Sequence, residues 1–125
     1  MSFIYLASPY SHESETIRHL RFKAVEKVTV YLLKARRWVY SPIVHCHELS
    51  VANRLPSDAA HWEDYNKCML SSAHEMYILE LPGWEKSKGV TMERAYARER
   101  NMPVNHIFPS AHGAADVASA LYKLA

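Results

Sequence analysis

The sequence predicts an α/β fold, a three-layer sandwich built on a small parallel sheet of four or five strands. Short apolar runs rich in β-forming residues alternate with longer segments of helical periodicity. Alternation at this spacing is typical of βαβ units with right-handed crossovers. The first run, residues 3–7, is apolar throughout and is followed by Ser8-Pro9, as expected for a central parallel strand covered on both faces.

The N-terminal half contains two predicted strands and one long helix. Apolar positions recur at spacings of three and four from residue 14 or 16 to residue 36, which predicts an amphipathic helix of about six turns. A second strand covers residues 38–41 and is stopped by Pro42. Residues 44–53 form either a short helix or an ordered loop.

The C-terminal half continues the alternation of strands and helices. Ser57 or Asp58 caps a predicted helix that runs to about residue 73, and the third strand follows at residues 76–79. The remaining predicted elements are a helix, a strand and a helix over residues 89–101, 104–108 and 116–124. We therefore expect a single domain that spans residues 1–125.

The composition limits the class of protein and of partner. A hydrophobic share of 49% and a charged share of 22% are ordinary for a globular protein. The formal net charge is only +2 and there is no basic arm, so we expect no nucleic-acid polymer as partner. No run approaches the ~18 apolar residues of a membrane span, and no signal peptide is indicated, so we expect no membrane association and a cytoplasmic location.

The cysteines and histidines form no pattern typical of a redox or metal site. Cys46 and Cys68 make no CxxC pair, which favours a reducing compartment. His45-Cys46-His47, together with His61 and Asp64, lacks a second pair at metal-ligand spacing. We therefore expect neither a metal nor a cofactor.

Polar residues follow three of the predicted strands, at the point where each strand ends. Because the carboxyl ends of parallel strands meet at one edge of the sheet, where open α/β folds bind ligands, we expect these residues to form one site. They are Tyr5 with Ser8-Pro9-Tyr10, then Ser41-Pro42 with His45 and His47, and then residues 82–87 with Glu93.

The loop after the third strand carries the most specific pattern. Ser87 can cap the helix that follows, and Gly89 allows a ligand or a neighbouring backbone to come close. Glu93, near the positive end of that helix, is expected to stay ionised at neutral pH. The alternative is that Glu93 is solvated and pairs with Arg94 or Arg100.

Three segments support a resemblance to a known family. They are IYLASPY at residues 4–10, YSPIVH at residues 40–45, and LPGWEKSKGV at residues 81–90 followed by Glu93. In this order they resemble the nucleoside 2-deoxyribosyltransferase-like superfamily, especially its small phage and bacterial members. The resemblance covers about residues 3–109 and implies a flavodoxin-like sheet.

The resemblance implies an enzyme that cleaves the N-glycosidic bond of a nucleoside, deoxynucleoside or nucleoside 5′-monophosphate, as an N-glycosidase or a deoxyribosyltransferase. Glu93 would attack the anomeric carbon to form a covalent glycosyl-enzyme, with Tyr5 hydrogen-bonded to its carboxylate. Ser87 and Gly89 would hold the 5′-phosphate or 5′-hydroxyl. The other residues expected to bind substrate are Ser8, Pro9, Tyr10, His45, Gly83 and Trp84.

The chain departs from the superfamily at the acid that helps to protonate the leaving base. The superfamily usually carries aspartates where this chain has Asn66 and His74. Asn66 can hydrogen-bond a base but cannot deliver a proton as a general acid. Asp64 lies two residues earlier, about 200° around a helix, so it does not simply replace an acid at position 66. Asn66 and Asp64 are both retained as candidate catalytic residues.

Two other classes of function are compatible with the sequence. A non-catalytic sensor of nucleotides or nucleoside metabolites would keep the pocket and lose part of the catalytic set, and Asn66 is the reason to consider it. A purely structural domain is disfavoured by Trp84, which we expect to face solvent. Members of the superfamily are commonly oligomers, so we expect at least a homodimer.

Overall fold

The computed structural model describes residues 2–56 and 58–124. Within these residues, one four-stranded sheet has the strand order β2-β1-β3-β4, and every neighbouring pair is parallel. The strands are β1 (Ile4–Ala7), β2 (Val39–Tyr40), β3 (Glu75–Leu79) and β4 (Val104–Ile107). The predicted small parallel sheet is therefore confirmed.

Five α-helices occur in the described part of the chain. Residues 44–53, for which the sequence allows a helix or a loop, are helical, and the helix begins at Pro42, whose missing N–H is no loss at a first helical position. None of the helices within the described ranges has the length and apolar character needed to span a membrane. The helices are α1 (Glu15–Lys34), α2 (Pro42–Asn53), α3 (Ala59–Ser71), α4 (Lys88–Glu99) and α5 (Ala115–Leu124), with short 3₁₀ turns at Trp84–Lys86 and Pro109–Ala111.

Side-chain caps begin four of these helices. Ser14, Ser41, Asp58 and Ser87 each accept a hydrogen bond from the backbone N–H three residues further on. Each cap satisfies one of the N–H groups that a helix leaves without an internal partner. Asp58 is thus one of the two caps predicted for α3; the other, Ser57, lies outside the described residues.

The helices cover both faces of the sheet. Because alternate side chains of a strand point to opposite faces, Ile4 and Leu6 of β1 pack beneath α1 and α5, whereas Tyr5 and Ala7 pack beneath α3 and α4. Each face has its own apolar core. The molecule is a three-layer α/β sandwich of the flavodoxin-like type, as predicted.

The strand order reverses beside β1. The chain passes from β1 to its neighbour β2 and then crosses back to β3 on the other side of β1. In an open parallel sheet such a reversal sends the two connections to opposite faces and leaves a crevice at the carboxyl ends of the central strands. The crevice lies beyond β1 and β3, where the predicted polar residues follow the strands.

Candidate active site

A cavity of about 620 Å³ opens at the carboxyl edge of the sheet. Its wall is built from the loop after β1, from α2 and α3, and from the beginning of α4. Segments that are far apart in sequence therefore converge, as the topology predicts. Of the predicted site residues, those on the wall are Ser8, Tyr10, Pro42, His47, Asn66, Lys86, Ser87, Gly89 and Glu93.

Glu93 is the buried carboxyl group of this cavity. It is 5% exposed, and one of its carboxyl oxygens accepts a hydrogen bond from the hydroxyl of Tyr5. Tyr5 is fully buried, because β1 turns its side chain towards the face that α4 covers. The alternative in which Glu93 is solvated and pairs with Arg94 or Arg100 is therefore wrong.

Burial controls the ionisation of this pair. It raises the pKa of the Glu93 carboxyl to about 7, although the hydrogen bond from Tyr5 acts in the opposite direction. The expectation from the sequence is that Glu93 stays ionised at neutral pH, but a pKa of about 7 leaves it only partly ionised there. Burial outweighs the helix dipole, which acts mainly within the first turn, whereas Glu93 is the sixth residue of α4. Burial also raises the pKa of the Tyr5 hydroxyl well above its usual value, so Tyr5 remains a hydrogen-bond donor.

The N-terminus of α4 forms one side of the cavity. Ser87 caps the helix as predicted, accepting the Val90 N–H at 3.2 Å, and Ser87 and Gly89 both line the wall. Lys86 and Lys88 line the same part of the cavity. A helix N-terminus beside two ammonium groups favours an anionic group of a ligand.

Among the described residues, two polar atoms on the wall are buried without a hydrogen-bond partner. They are Ser8 Oγ, at the end of β1, and Asn66 Oδ1, on α3. Buried polar atoms are normally hydrogen-bonded, and leaving one unpaired costs about 1–3 kcal/mol. Both residues are thus available to make hydrogen bonds to a ligand that fills the cavity.

Tyr10 and His47 form a hydrogen-bonded pair on another part of the wall. The Tyr10 hydroxyl oxygen lies 2.6 Å from Nδ1 of His47, and both residues line the cavity. His47 is 8% exposed, and its ring stacks on Phe22 of α1 with centroids 4.2 Å apart. Burial lowers the pKa of the His47 imidazole and raises that of the Tyr10 hydroxyl.

His45 and Asp64 lie outside the cavity wall. His45 is exposed on α2, and its ring stacks on Tyr65, with Nε2 2.9 Å from the Tyr65 hydroxyl. Because α2 is a helix, residues two apart point in different directions, and His47 lines the cavity where His45 does not. Asp64 is exposed on α3, while Asn66 lines the cavity, in keeping with their separation around the helix.

Three further predicted residues shape the loops without lining the cavity. Pro9 is fully buried behind Ser8, and Gly83 adopts a left-handed backbone with φ of 90°. Trp84 is half-buried: it packs on the core beneath α3 and α4 and meets the ring of His106 edge-on at 5.2 Å. The expectation that Trp84 faces solvent is wrong, because the 3₁₀ turn directs its side chain back onto the sheet.

Arg21 is not on the cavity wall but holds two of the loops beside it, a role that was not predicted from the sequence. Its guanidinium donates to the carbonyl oxygens of Ser11 at 2.9 Å, Tyr10 at 3.3 Å and Pro82 at 3.4 Å, and so joins the loop after β1 to the loop after β3. Arg21 is 9% exposed. A signal exists in the sequence, because Arg21 lies four residues after Ile17 and therefore on the apolar stripe of α1.

The remaining ligand-type side chains do not form a metal centre in the part of the chain that the structure describes. No three His, Cys, Asp or Glu side chains in residues 2–56 and 58–124 group closely enough to hold an ion. Cys46 and Cys68 are both free thiols, one buried and one exposed.

Comparison with known proteins places the chain in a family. A search of curated proteins returned no match. One family profile, described as a domain of unknown function (DUF1937), matches residues 2–108. The matched span includes all four strands of the sheet and every residue on the cavity wall. The chain belongs to the DUF1937 family.

Proposed function

We propose that this protein cleaves the N-glycosidic bond of a nucleoside, a deoxynucleoside or a nucleoside 5′-monophosphate, as an N-glycosidase or a deoxyribosyltransferase. We propose equally that it is a member of the nucleoside 2-deoxyribosyltransferase-like superfamily. The single observation that carries the proposal is the buried Glu93 carboxyl group, hydrogen-bonded by Tyr5, on the wall of a cavity at the topological switch point.

The ionised form of Glu93 is suited to the role of nucleophile. A carboxylate that is largely shielded from water, as Glu93 is at 5% exposure, is a stronger nucleophile than one in bulk water, and the Tyr5 hydroxyl keeps it oriented. Attack on the anomeric carbon expels the base and forms a glycosyl ester. Water or a second base then displaces Glu93, so two inversions give net retention at the sugar carbon.

The rest of the wall supports a nucleotide as the substrate class. The N-terminus of α4 suits a 5′-phosphate, because Ser87 and Gly89 line the cavity there beside Lys86 and Lys88. The unpaired polar atoms of Ser8 and Asn66 are available to hydrogen-bond the sugar or the base. The cavity volume of about 620 Å³ lies within the range of small-molecule sites.

Asn66 supports a second candidate, a non-catalytic sensor of nucleotides or nucleoside metabolites. Its amide lines the cavity with an unpaired oxygen, which favours binding, but it has no proton to give to a leaving base. The two candidates differ in one observable, the release of free base.

The test is to mix the protein with a panel of nucleosides, deoxynucleosides and their 5′-monophosphates, with and without an acceptor base, and to follow free base by chromatography. We expect release by the wild type and a loss of at least ~10³-fold in Glu93→Gln. Glu99→Gln is the matched control, because Glu99 is on the same helix and exposed; it should retain the wild-type rate.

Each contradictory outcome identifies a different error. Binding of a nucleotide without release of base would support the sensor. Release that persists in Glu93→Gln would show that another group is the nucleophile.

The assembly and the location are part of the proposal. Exposed large apolar side chains, among them Trp38, Phe108 and Tyr122, support a homodimer or higher homo-oligomer, and light scattering of the purified protein measures its mass directly. The two free thiols support a reducing compartment such as the cytoplasm.

A further inference from the structure

Cleavage of an N-glycosidic bond requires a proton as well as a nucleophile. The base departs with the electron pair of the broken bond, and a general acid that protonates it contributes about 10²–10⁴-fold. Glu93 is used as the nucleophile, and Asn66 has no acidic proton. The proposed reaction therefore lacks an identified acid.

Tyr10 and His47 supply a hydrogen-bonded donor pair on the same cavity as Glu93. The hydroxyl oxygen and Nδ1 are 2.6 Å apart, and both residues line the wall. His47 is on α2 and packs against α1, whereas Glu93 is on α4, on the other face of the sheet. A substrate between them has the nucleophile on one side and the pair on the other.

The His47 ring is held in a fixed orientation. It stacks on Phe22 at an interplanar angle of 16°, and the Tyr10 ring meets it edge-on at 85° with centroids 5.5 Å apart. An imidazole fixed in this way presents Nδ1 to the Tyr10 hydroxyl. The pair has the arrangement of an acid oriented by a second residue.

We infer that the Tyr10–His47 pair delivers the proton to the leaving base, in the role that an acid at position 66 would otherwise have. The inference rests on the proposed function, since it assigns a further catalytic residue, Tyr10, and a positioning and proton-supplying partner, His47, to that reaction.

The transfer balances in both halves of the reaction. As the bond from the anomeric carbon to the base breaks and the bond to Glu93 forms, Tyr10 gives its hydroxyl proton to the base. Tyr10 regains a proton from Nδ1 of the His47 imidazolium, which becomes neutral. In the second half, water attacks the anomeric carbon, its proton returns through Tyr10 to His47, and Glu93 leaves as a carboxylate.

The charges around His47 determine how readily it holds that proton. After burial, which lowers the pKa of His47 most, His19 and Arg18 of α1 lower it further, while Glu48 of α2 and Glu26 of α1 act in the opposite direction. His47 therefore gives up a proton more readily than a free histidine does, and it carries that proton mainly at a pH below the usual range of an imidazole. The other charged or titratable groups on the cavity wall are His12, Glu13, Cys46, Asp58, Lys86, Lys88 and Glu93.

The two other carboxyl groups on the wall are less suited to the role. Asp58 is exposed and accepts the His61 N–H as the cap of α3. Glu13 is exposed in the loop after β1. Neither has a buried partner that fixes its orientation, as His47 does for Tyr10.

The test compares a base that needs a proton with one that does not. Release of guanine from 2′-deoxyguanosine 5′-monophosphate requires protonation, whereas 7-methylguanine leaves the corresponding N7-methylated nucleotide without it. Tyr10→Phe and His47→Gln should each lose about 10²-fold or more on the first substrate and stay within about threefold of wild type on the second. Spontaneous release from the methylated nucleotide is measured without protein and subtracted.

His45→Gln is the matched control, because His45 is on the same helix but exposed and off the cavity wall. It should leave both rates unchanged. Glu93→Gln should lose both rates, since both substrates need the nucleophile. Tyr10→Phe keeps the ring that packs against His47, so it tests the inference even if His47→Gln fails to fold.

The outcomes separate this inference from the proposed function. If wild type cleaves both substrates, and Tyr10→Phe either keeps both rates or loses both equally, the inference is overturned and the proposed function stands. If wild type cleaves neither substrate although it binds them, the proposed function is overturned and the inference with it.

Discussion

Glu93 is a carboxyl group that folding removes almost entirely from water, and its only hydrogen bond among the described contacts comes from the Tyr5 hydroxyl. One neutral donor does not replace the hydration of a carboxylate, so the charged form is destabilised in the folded protein. A site that keeps such a group sacrifices stability for reactivity.

This destabilisation makes the stability of the fold depend on pH. The folded pKa of Glu93 is about 7 against an ordinary 4.5, so between these values the folded state binds more protons than the unfolded state. The free energy of unfolding therefore falls as the pH rises through this window, and it levels off above pH 7. At ~1.4 kcal/mol per pKa unit, the total fall is about 3 kcal/mol.

Glu93→Gln should remove this penalty, because glutamine is neutral at every pH. We expect the variant to be more stable than wild type by up to about 3 kcal/mol at pH 8, and by much less at pH 5. Urea unfolding at the two pH values measures the difference. Glu99→Gln, on the exposed face of α4, should show no such change; an advantage of Glu93→Gln that is equal at pH 5 and pH 8 would contradict the ionisation argument.

The side chains of this site differ in how well the sequence predicts their positions. Glu93, Tyr5 and Ser87 are predictable because a strand and a helix with clear boundaries fix their directions. His45 and His47 are not distinguishable in this way, since their segment could be an extended loop or a helix and only a helix separates their directions. The raised pKa of Glu93 depends on how deeply α4 packs on β1, which no local pattern encodes.

At the scale of elements, the cap of α4 has two roles: it stabilises the start of the helix, and it forms part of the cavity wall. Ser87 accepts the Val90 N–H and also lines the cavity, whereas Ser14 caps α1 in the same way, accepting the Ile17 N–H at 3.3 Å, and is not on the wall. The two serines are therefore a matched pair for separating stability from binding.

Ser87→Ala and Ser14→Ala should each destabilise the protein by about 1 kcal/mol, the usual loss of a cap. Only Ser87→Ala should also weaken the binding of a nucleoside 5′-monophosphate, measured by calorimetry, because it removes a hydroxyl from the proposed phosphate site. Equal nucleotide affinity in the two variants would argue against phosphate binding at α4.

Arg21 joins two loops, and Gly83 makes room for it. A Cβ at position 83 would lie 2.8 Å from Nη2 of Arg21, in addition to the strain of a side chain at φ of 90°. Gly113 has a similar φ of 82°, but a Cβ there would meet its nearest neighbour, Tyr31, at an ordinary 3.5 Å. An alanine would therefore cause similar backbone strain at both positions, but only at position 83 would it also clash with a neighbouring side chain.

Gly113→Ala should cost about 1–2 kcal/mol of stability, and Gly83→Ala should cost about 1–3 kcal/mol more. Thermal or urea unfolding measures both. In an Arg21→Met background the extra cost at position 83 should disappear, as a double-mutant cycle would show. If the two glycine variants lose equal stability, the Arg21 guanidinium is not fixed closely enough to Gly83 to clash with a Cβ there, which contradicts this prediction.

At the scale of the whole molecule, the position of the cavity follows from topology. The alternation of strands and helices in the sequence predicts the parallel sheet, and the return of the chain across β1, which the structure shows, determines where the sheet can hold a ligand. What the sequence cannot predict is the set of contacts between α1 and the loops: Arg21 looks like an ordinary helical arginine until Ser11 and Pro82 are seen to meet it.

The central claim is that Glu93 forms a covalent bond to the sugar, and trapping that bond tests it most directly. A 2′-fluorinated nucleotide slows the hydrolysis of such an intermediate, because fluorine destabilises the charge that develops on the sugar ring. Trypsin then cuts after Lys88 and Arg94, so residues 89–94, GVTMER, form a peptide whose one acidic side chain is Glu93. Mass spectrometry should find the fluorinated sugar on this peptide in wild type and not in Glu93→Gln; release of base with no adduct, or an adduct on another peptide, would contradict the claim.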